Sequence, residues 1–171
     1  VVGTPGTKEL GPKEVLEVPC DVLIPAALET QITTENADRV RSKVVIEAAN
    51  GPVTPEADDM LAQRGIPVVP DILSASGGVV VSYFEWTQNL ANERWTESEI
   101  QERLKATMYA ATDAMVTGRA AILDRLDFYR ETWKEATGSD EDLPRPTLRT
   151  AAHAVAVGRC RTATDQRGIW P

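Results

Sequence analysis

Few side chains in this sequence suit chemistry, and they are scattered. The single histidine, His153, lies in the Ala/Val-rich run LRTAAHAVAVGR, where a histidine on a helix more often packs than moves protons. The two cysteines, Cys20 and Cys160, have no nearby histidine and no metal-ligand spacing. They read as buried or idle thiols of a reducing cytoplasm, and no metal site is expected. The segment GTPGTKELG (3–11) has phosphate-loop glycines, but Glu9 rather than Ser or Thr follows Lys8 and no strand precedes it. It reads as a surface turn. No G-x-G-x-x-G occurs, so the usual cradle for a pyrophosphate is absent. What remains is hydrogen-bonding capacity, spread over the asparagine amides and serine hydroxyls along the chain. Taken alone, Asn50 before Gly51-Pro52 suits a turn, and Ser82 in an apolar stretch suits a bond to a helical carbonyl.

The elements that must position these residues follow from the apolar pattern. CDVLIP (20–25), KVVIEAAN (43–50) and IPVVP (66–70) are short unalternated runs, the pattern of strands covered on both faces. Between them, a polar stretch at 33–42 has helical character. A second helix is well signalled, with Thr54 to cap it, Pro55 at its first position and Gly65 to end it. Strand–helix alternation predicts a parallel sheet with right-handed crossovers. Ligands of such sheets bind beyond the carboxyl ends of the strands, here Pro25–Ala27, Ala49–Gly51 and 71–78.

The second half changes character. Thr96 and Glu99 make a capping box, and Ile100, Leu104, Met108 and Met115 continue an apolar stripe suited to a core or subunit contact. GSDEDLPRP (138–146) reads as a polar loop, LRTAAHAVAVGRCRTAT as a final helix, and RGIWP closes the chain. The expected class is α/β: a partial Rossmann-like parallel sheet, the βαβαβ half, over 1–90, then a helical tail over 91–171. Half of such a sheet ends on an open strand edge, so the chain is expected to associate with itself or a partner.

Length and composition set the outer limits. A chain of 171 residues with 42% hydrophobic content can bury a core, and no apolar run is long enough to cross a membrane. Val1-Val2-Gly3-Thr4 lacks the basic-then-apolar pattern of a signal peptide, so a cytoplasmic location is expected. Twenty-six acidic against eighteen basic residues give a net charge of -8, which argues against a nucleic-acid partner.

Three blocks, CDVLIPAALETQIT (20–33), IEAANGPVTPEAD (46–58) and PDILSASGGVVVSYFEWTQN (70–89), resemble the cofactor domain of the glutamate dehydrogenase family. The ending LRTAAHAVAVGR with RGIWP is similar to that family's C-terminal helix. The likeness runs through nearly the whole chain, in order. It implies hydride transfer between the glutamate Cα and NAD or NADP, with an iminium hydrolysed to 2-oxoglutarate and ammonia.

Residue by residue, the likeness implies that Ala26 and Ala27 pass close to the dinucleotide through their backbone. Asn50 would bond the nicotinamide ribose region, and Ser82 the side-chain carboxylate of glutamate, with Val79 lining the same pocket. Ala75 stands where the family usually has an asparagine on the nicotinamide amide (LSASGGV for LANAGGV), with Ser76 beside it. Ala48 replaces a usual glycine and Thr30 a usual asparagine.

The family's catalytic lysines and aspartate, its glycine fingerprint and its substrate domain have no counterpart in these blocks, so no catalytic residue is assigned. One reading is an enzyme segment, inactive alone, that works with an N-terminal substrate-domain segment or within a homo-oligomer. Another is a non-catalytic remnant, or a chain joining oligomers of a relative. A leucine, valine or phenylalanine dehydrogenase is disfavoured by Ser82, which an apolar substrate would not need. The connector from Met115 to Leu148 is longer than the family leads one to expect.

Overall fold

A computed structural model describes residues 3–139 and 143–168. The chain divides into two compact units, Val1–Val68 and Val69–Pro171. In the first, β1 (Cys20–Leu23) pairs in parallel with β2 (Ser42–Ile46), placing Val22 beside Val44 and Leu23 beside Val45. A short β3 (Val68–Val69) completes a three-stranded sheet of order β1-β2-β3. Prolines at 67 and 70 limit β3, because neither can donate to a ladder. The Pro67 carbonyl still accepts from the Val45 N–H at 3.0 Å. The α/β class with a parallel sheet is therefore as the sequence predicts.

Helix α1 (Pro55–Gln63) starts and stops where its signals lie. The Thr54 hydroxyl accepts from the Ala57 N–H at 3.3 Å, Pro55 opens the first turn, and Gly65 leaves it at φ +76°. Its inner face gives Ala57 and Leu61 to a core shared with Ile32, Val40, Val45 and Val68. Leu23 packs against that core, whereas Val22 and Ile24 turn away from it and remain 47% and 54% exposed. One face of the sheet is thus covered, and the other carries bare aliphatic side chains.

The helix expected over 33–42 is only one 3-10 turn, Ala37–Arg39. Partners outside a helical ladder hold both ends of this stretch, and one of them takes the Ala37 carbonyl that a longer helix would need. The Thr33 N–H donates to Asn36 Oδ1 at 2.8 Å, and Asn36 Nδ2 donates to the Gln31 carbonyl at 2.9 Å. The guanidinium of Arg64 then donates to the Ala37 carbonyl and, at 2.7 Å, to the Val40 carbonyl. An acceptor held by a distant arginine is no longer offered to the next turn.

The second unit is helical: α2 (Asp71–Ser74), α3 (Ser76–Ala91), α4 (Glu97–Asp124), α5 (Leu126–Thr137) and α6 (Leu148–Arg167). The capping box at Thr96 opens α4, with Glu99 Oε2 accepting from the Thr96 N–H at 2.7 Å. Hydrogen bonds from the Thr96 backbone, then from its side chain, hold the Glu99 carboxyl below its ordinary value of 4.5. This contribution is full above that value and is lost as pH falls through the lower, folded one.

Met115, on the predicted stripe, packs with Leu73 and Ala151, and Met108 lies against the same cluster. Helices α4 and α6 meet closely at Gly118, where an added Cβ would lie 3.1 Å from Val155 Cγ2. Much of the long connector is helix, since α4 runs on to Asp124 and α5 follows. Residues 140–142 of the expected loop at 138–146, and 169–171 of RGIWP, lie outside the described residues.

His153 departs from expectation. It is exposed on α6, because that helix packs through Ala151, Ala152 and Val155. Among the described residues, no helix is long and apolar enough to cross a membrane.

Candidate functional site

In the first unit, the loops leaving β1 and β2 carry the predicted nucleotide-contacting residues. Pro25 is buried and turns the chain, leaving Ala26 and Ala27 exposed. Backbone bonds lash this loop to the next one. The Ala48 and Ala49 N–H groups both donate to the Pro25 carbonyl at 3.0 Å, and the Thr30 N–H donates to the Gly51 carbonyl at 2.9 Å. The Gln31 and Ile32 N–H groups both reach the Pro52 carbonyl at 2.8 Å. Asn50 stands exposed on the second loop, beside Gly51 at φ +52°. Its amide has no hydrogen-bond partner among the described residues. Ala26, Ala27 and Asn50 thus lie on two adjacent, mutually braced loops beyond the carboxyl ends of paired parallel strands.

Thr30 holds this junction at φ +55°, a left-handed conformation that a β-branched residue strongly resists. Asparagine tolerates it. Thr30→Asn is therefore expected to stabilise the first unit by about 1 kcal/mol. A denaturant titration read through this unit checks it, and an unchanged or lower midpoint would count against strain at Thr30.

In the second unit, Ala75 joins α2 to α3, is exposed, and donates its N–H to the Asp71 carbonyl at 2.9 Å. The neighbouring Ser76 hydroxyl turns inward, donating to the Leu73 carbonyl at 2.6 Å with Met108 Sδ at 3.5 Å. It is not positioned to replace an amide at Ala75. Val79, 72% exposed, and Ser82 follow three residues apart on one face of α3. The Ser82 hydroxyl donates to the Gly78 carbonyl at 3.0 Å, the local bond its apolar setting suggests. That bond uses its proton and leaves its lone pairs available.

None of these side chains titrates near neutral pH, so within each unit they can hold and orient a ligand but cannot exchange protons with it. Among the described residues, no group of three or more His, Cys, Asp or Glu could hold a metal ion. A nicotinamide nucleotide suits the first-unit loops. Ala26 and Ala27 present little bulk, the space where a Gly51 Cβ would stand is open within 4 Å, and the Asn50 amide offers both donors and acceptors.

Two contributions went unread in the sequence: one buried acid and one left-handed turn. Glu47 is fully buried, with Oε1 accepting from the Val53 N–H at 3.2 Å. Its signal was a lone acid inside the apolar run VVIEAA. For the left-handed backbone of Thr30 the signal was the asparagine usual there in the family, since asparagine tolerates that conformation and threonine does not mark it.

Comparison with known proteins completes the picture. The family model for glutamate/leucine/phenylalanine/valine dehydrogenase matches residues 4–168. The chain is 45% identical over 165 residues to the NADP-specific glutamate dehydrogenase A1 of Halobacterium salinarum, covering 96% of this chain and 34% of that protein. An NAD-specific glutamate dehydrogenase of Staphylococcus aureus is 50% identical over 103 residues, 60% of this chain and 25% of that one. Among solved structures, the hetero-hexameric glutamate dehydrogenase of Thermus thermophilus in its Leu-bound form matches with a TM-score of 0.74 at 33% identity, covering 99% of this chain and 36% of that one. The chain spans about a third or less of the length of these relatives. With a family match running from residue 4 to residue 168, the chain belongs to the glutamate/leucine/phenylalanine/valine dehydrogenase family.

Proposed function

We propose that this chain supplies the C-terminal part of the cofactor domain of a cytoplasmic glutamate dehydrogenase, with residues 1–90 as the nucleotide-facing half and 91–171 as its helical tail. The likeness to glutamate dehydrogenases along nearly the whole chain carries this reading. Its substrates are glutamate and 2-oxoglutarate, and its cofactor is NAD or NADP, since relatives of both specificities match. A bound nicotinamide supplies the hydride chemistry. The chain's own residues do the holding: Ala26 and Ala27 admit the dinucleotide against the backbone, and Asn50 bonds the ribose region. Ala75 lies beside the nicotinamide amide without bonding it through a side chain. Val79 and Ser82 face the substrate, the hydroxyl accepting or donating a bond near the far carboxylate.

None of these residues can move a proton, and near-attack geometry needs further groups that hold the reacting carbon. The purified chain with 2-oxoglutarate, ammonia and NADH or NADPH is therefore expected to oxidise no nucleotide. Fusing or adding the N-terminal two-thirds of a relative is expected to produce activity. Protein-dependent turnover by the chain alone would overturn the incompleteness.

Silence from a folded, completed protein would favour a second reading, in which the chain is a non-catalytic remnant or joins oligomers of a relative. Ala75 is the observation behind that alternative, because it lacks the amide and the inward-turned Ser76 does not replace it.

A further inference from the structure

We infer that Glu47 is the positioning residue of the nucleotide-facing loop and, through that loop, sets the reach of Asn50. The inference rests on the reading that Asn50 meets the nicotinamide ribose. Glu47 follows directly on the last residue of β2, inside an otherwise apolar run, and its side chain is wholly shielded from solvent. A buried carboxylate is costly unless it is bonded, so its retention calls for a specific partner. Oε1 accepts from the Val53 N–H, which clamps residues 47 and 53 together and closes the intervening segment into a loop. Asn50 is at the crown of that loop.

The closure is reinforced from both sides. Val53 directly precedes Thr54, the cap of α1, so the carboxylate is held beside the positive end of that helix. On the other flank, the Pro25 carbonyl grips Ala48 and Ala49, and Gly51 and Pro52 are gripped by the strained turn at residues 30–32. Every one of these other bonds is made by the backbone. Glu47 is the side chain that converts the crossing strand end into a fixed platform.

The test uses the full chain, labelled with nitrogen-15, and nicotinamide mononucleotide as the probe. Glu47→Ala is expected to accelerate amide exchange at Ala49 and Val53 relative to α1, and to weaken the probe-dependent shift of the Asn50 side-chain amide, both by about tenfold or more. Glu47→Gln keeps a carbonyl oxygen in place and is expected to stay within about threefold of the parent on both readouts. If Glu47→Ala does not fold, Glu47→Asp, which withdraws the carboxylate by one methylene, carries the same expectation. Leu61→Val, a core change on α1, serves as a control that lowers stability and leaves the probe response intact.

Unchanged loop exchange in the Ala or Asp variant would overturn the inference, as would a response in Leu61→Val equal to that of Glu47→Ala. If the parent chain shows no probe-dependent shift at Asn50, the nucleotide reading of that residue fails instead. The exchange comparison then decides the role of Glu47 in fixing the loop.

Discussion

Truncating Leu61 to alanine is expected to cost the first unit about 2–5 kcal/mol, the range for deleting a buried leucine side chain where the surroundings only partly collapse. Leu61 is wholly buried between Ile32, Val40, Val45 and Val68, and it projects from α1 onto the covered face of the sheet. Little material is available to fill the void, because the core of this unit is one helix on three short strands. The measurement is chemical denaturation followed by exchange of amides in β2 and α1. Leu28→Ala is the matched control: that leucine is 65% exposed, and its loss is expected to change stability by less than about 0.5 kcal/mol. Equal effects at the two positions would mean that the packing described around Leu61 is wrong.

The second large effect concerns substrate choice in the completed enzyme. With the N-terminal part fused or added, Ser82→Ala is expected to lose about 1.5–3 kcal/mol of transition-state stabilisation toward glutamate, or roughly ten- to more than a hundred-fold in kcat/KM. Norvaline has no far carboxylate, so its weak turnover should be unchanged or improved. The ratio between the two substrates removes any general loss of folding or nucleotide binding. Equal losses for both would leave the Ser82 hydroxyl in its present bond to the Gly78 carbonyl as its whole role.

Local chemistry was readable wherever a few adjacent residues decide the outcome. Thr54, Pro55 and Gly65 delimited α1, and Thr96 with Glu99 marked the start of α4, because caps and breakers act over one turn. The stretch at 33–42 was misread for the opposite reason. Its fate is set by Arg64, which reaches back across 24 residues to the Val40 carbonyl and 27 to that of Ala37. Periodicity carries no trace of such a long-range partner.

Helix α5 shows a different gap. Leu126, Tyr129 and Trp133 stand at helical spacing, and Gly138 ends the run at φ +66°, so the signals existed inside what read only as a long connector. In the candidate site, the family likeness singled out Asn50 and Ser82 and supplied their roles; taken alone, they read as a turn residue and a hydroxyl bonded to a helical carbonyl. Most of the bracing beneath Asn50 was not readable, since it consists of backbone bonds between loops; its one side chain, Glu47, left a trace as a lone acid in an apolar run.

The bare side of the sheet bears on how long the chain lasts in a cell. Val22 and Ile24 form a strip of the kind that chaperones and proteases survey when they triage nascent or damaged proteins. Clearance of such a molecule would rise with the time its aliphatic strip stays accessible, and synthesis rate alone would not fix its abundance. Steady-state quantity would then track the supply of whatever shelters that strip, with surplus copies removed. Stoichiometry would be enforced after translation, by disposal, and expression of this chain in isolation would give low yields even where its message is plentiful.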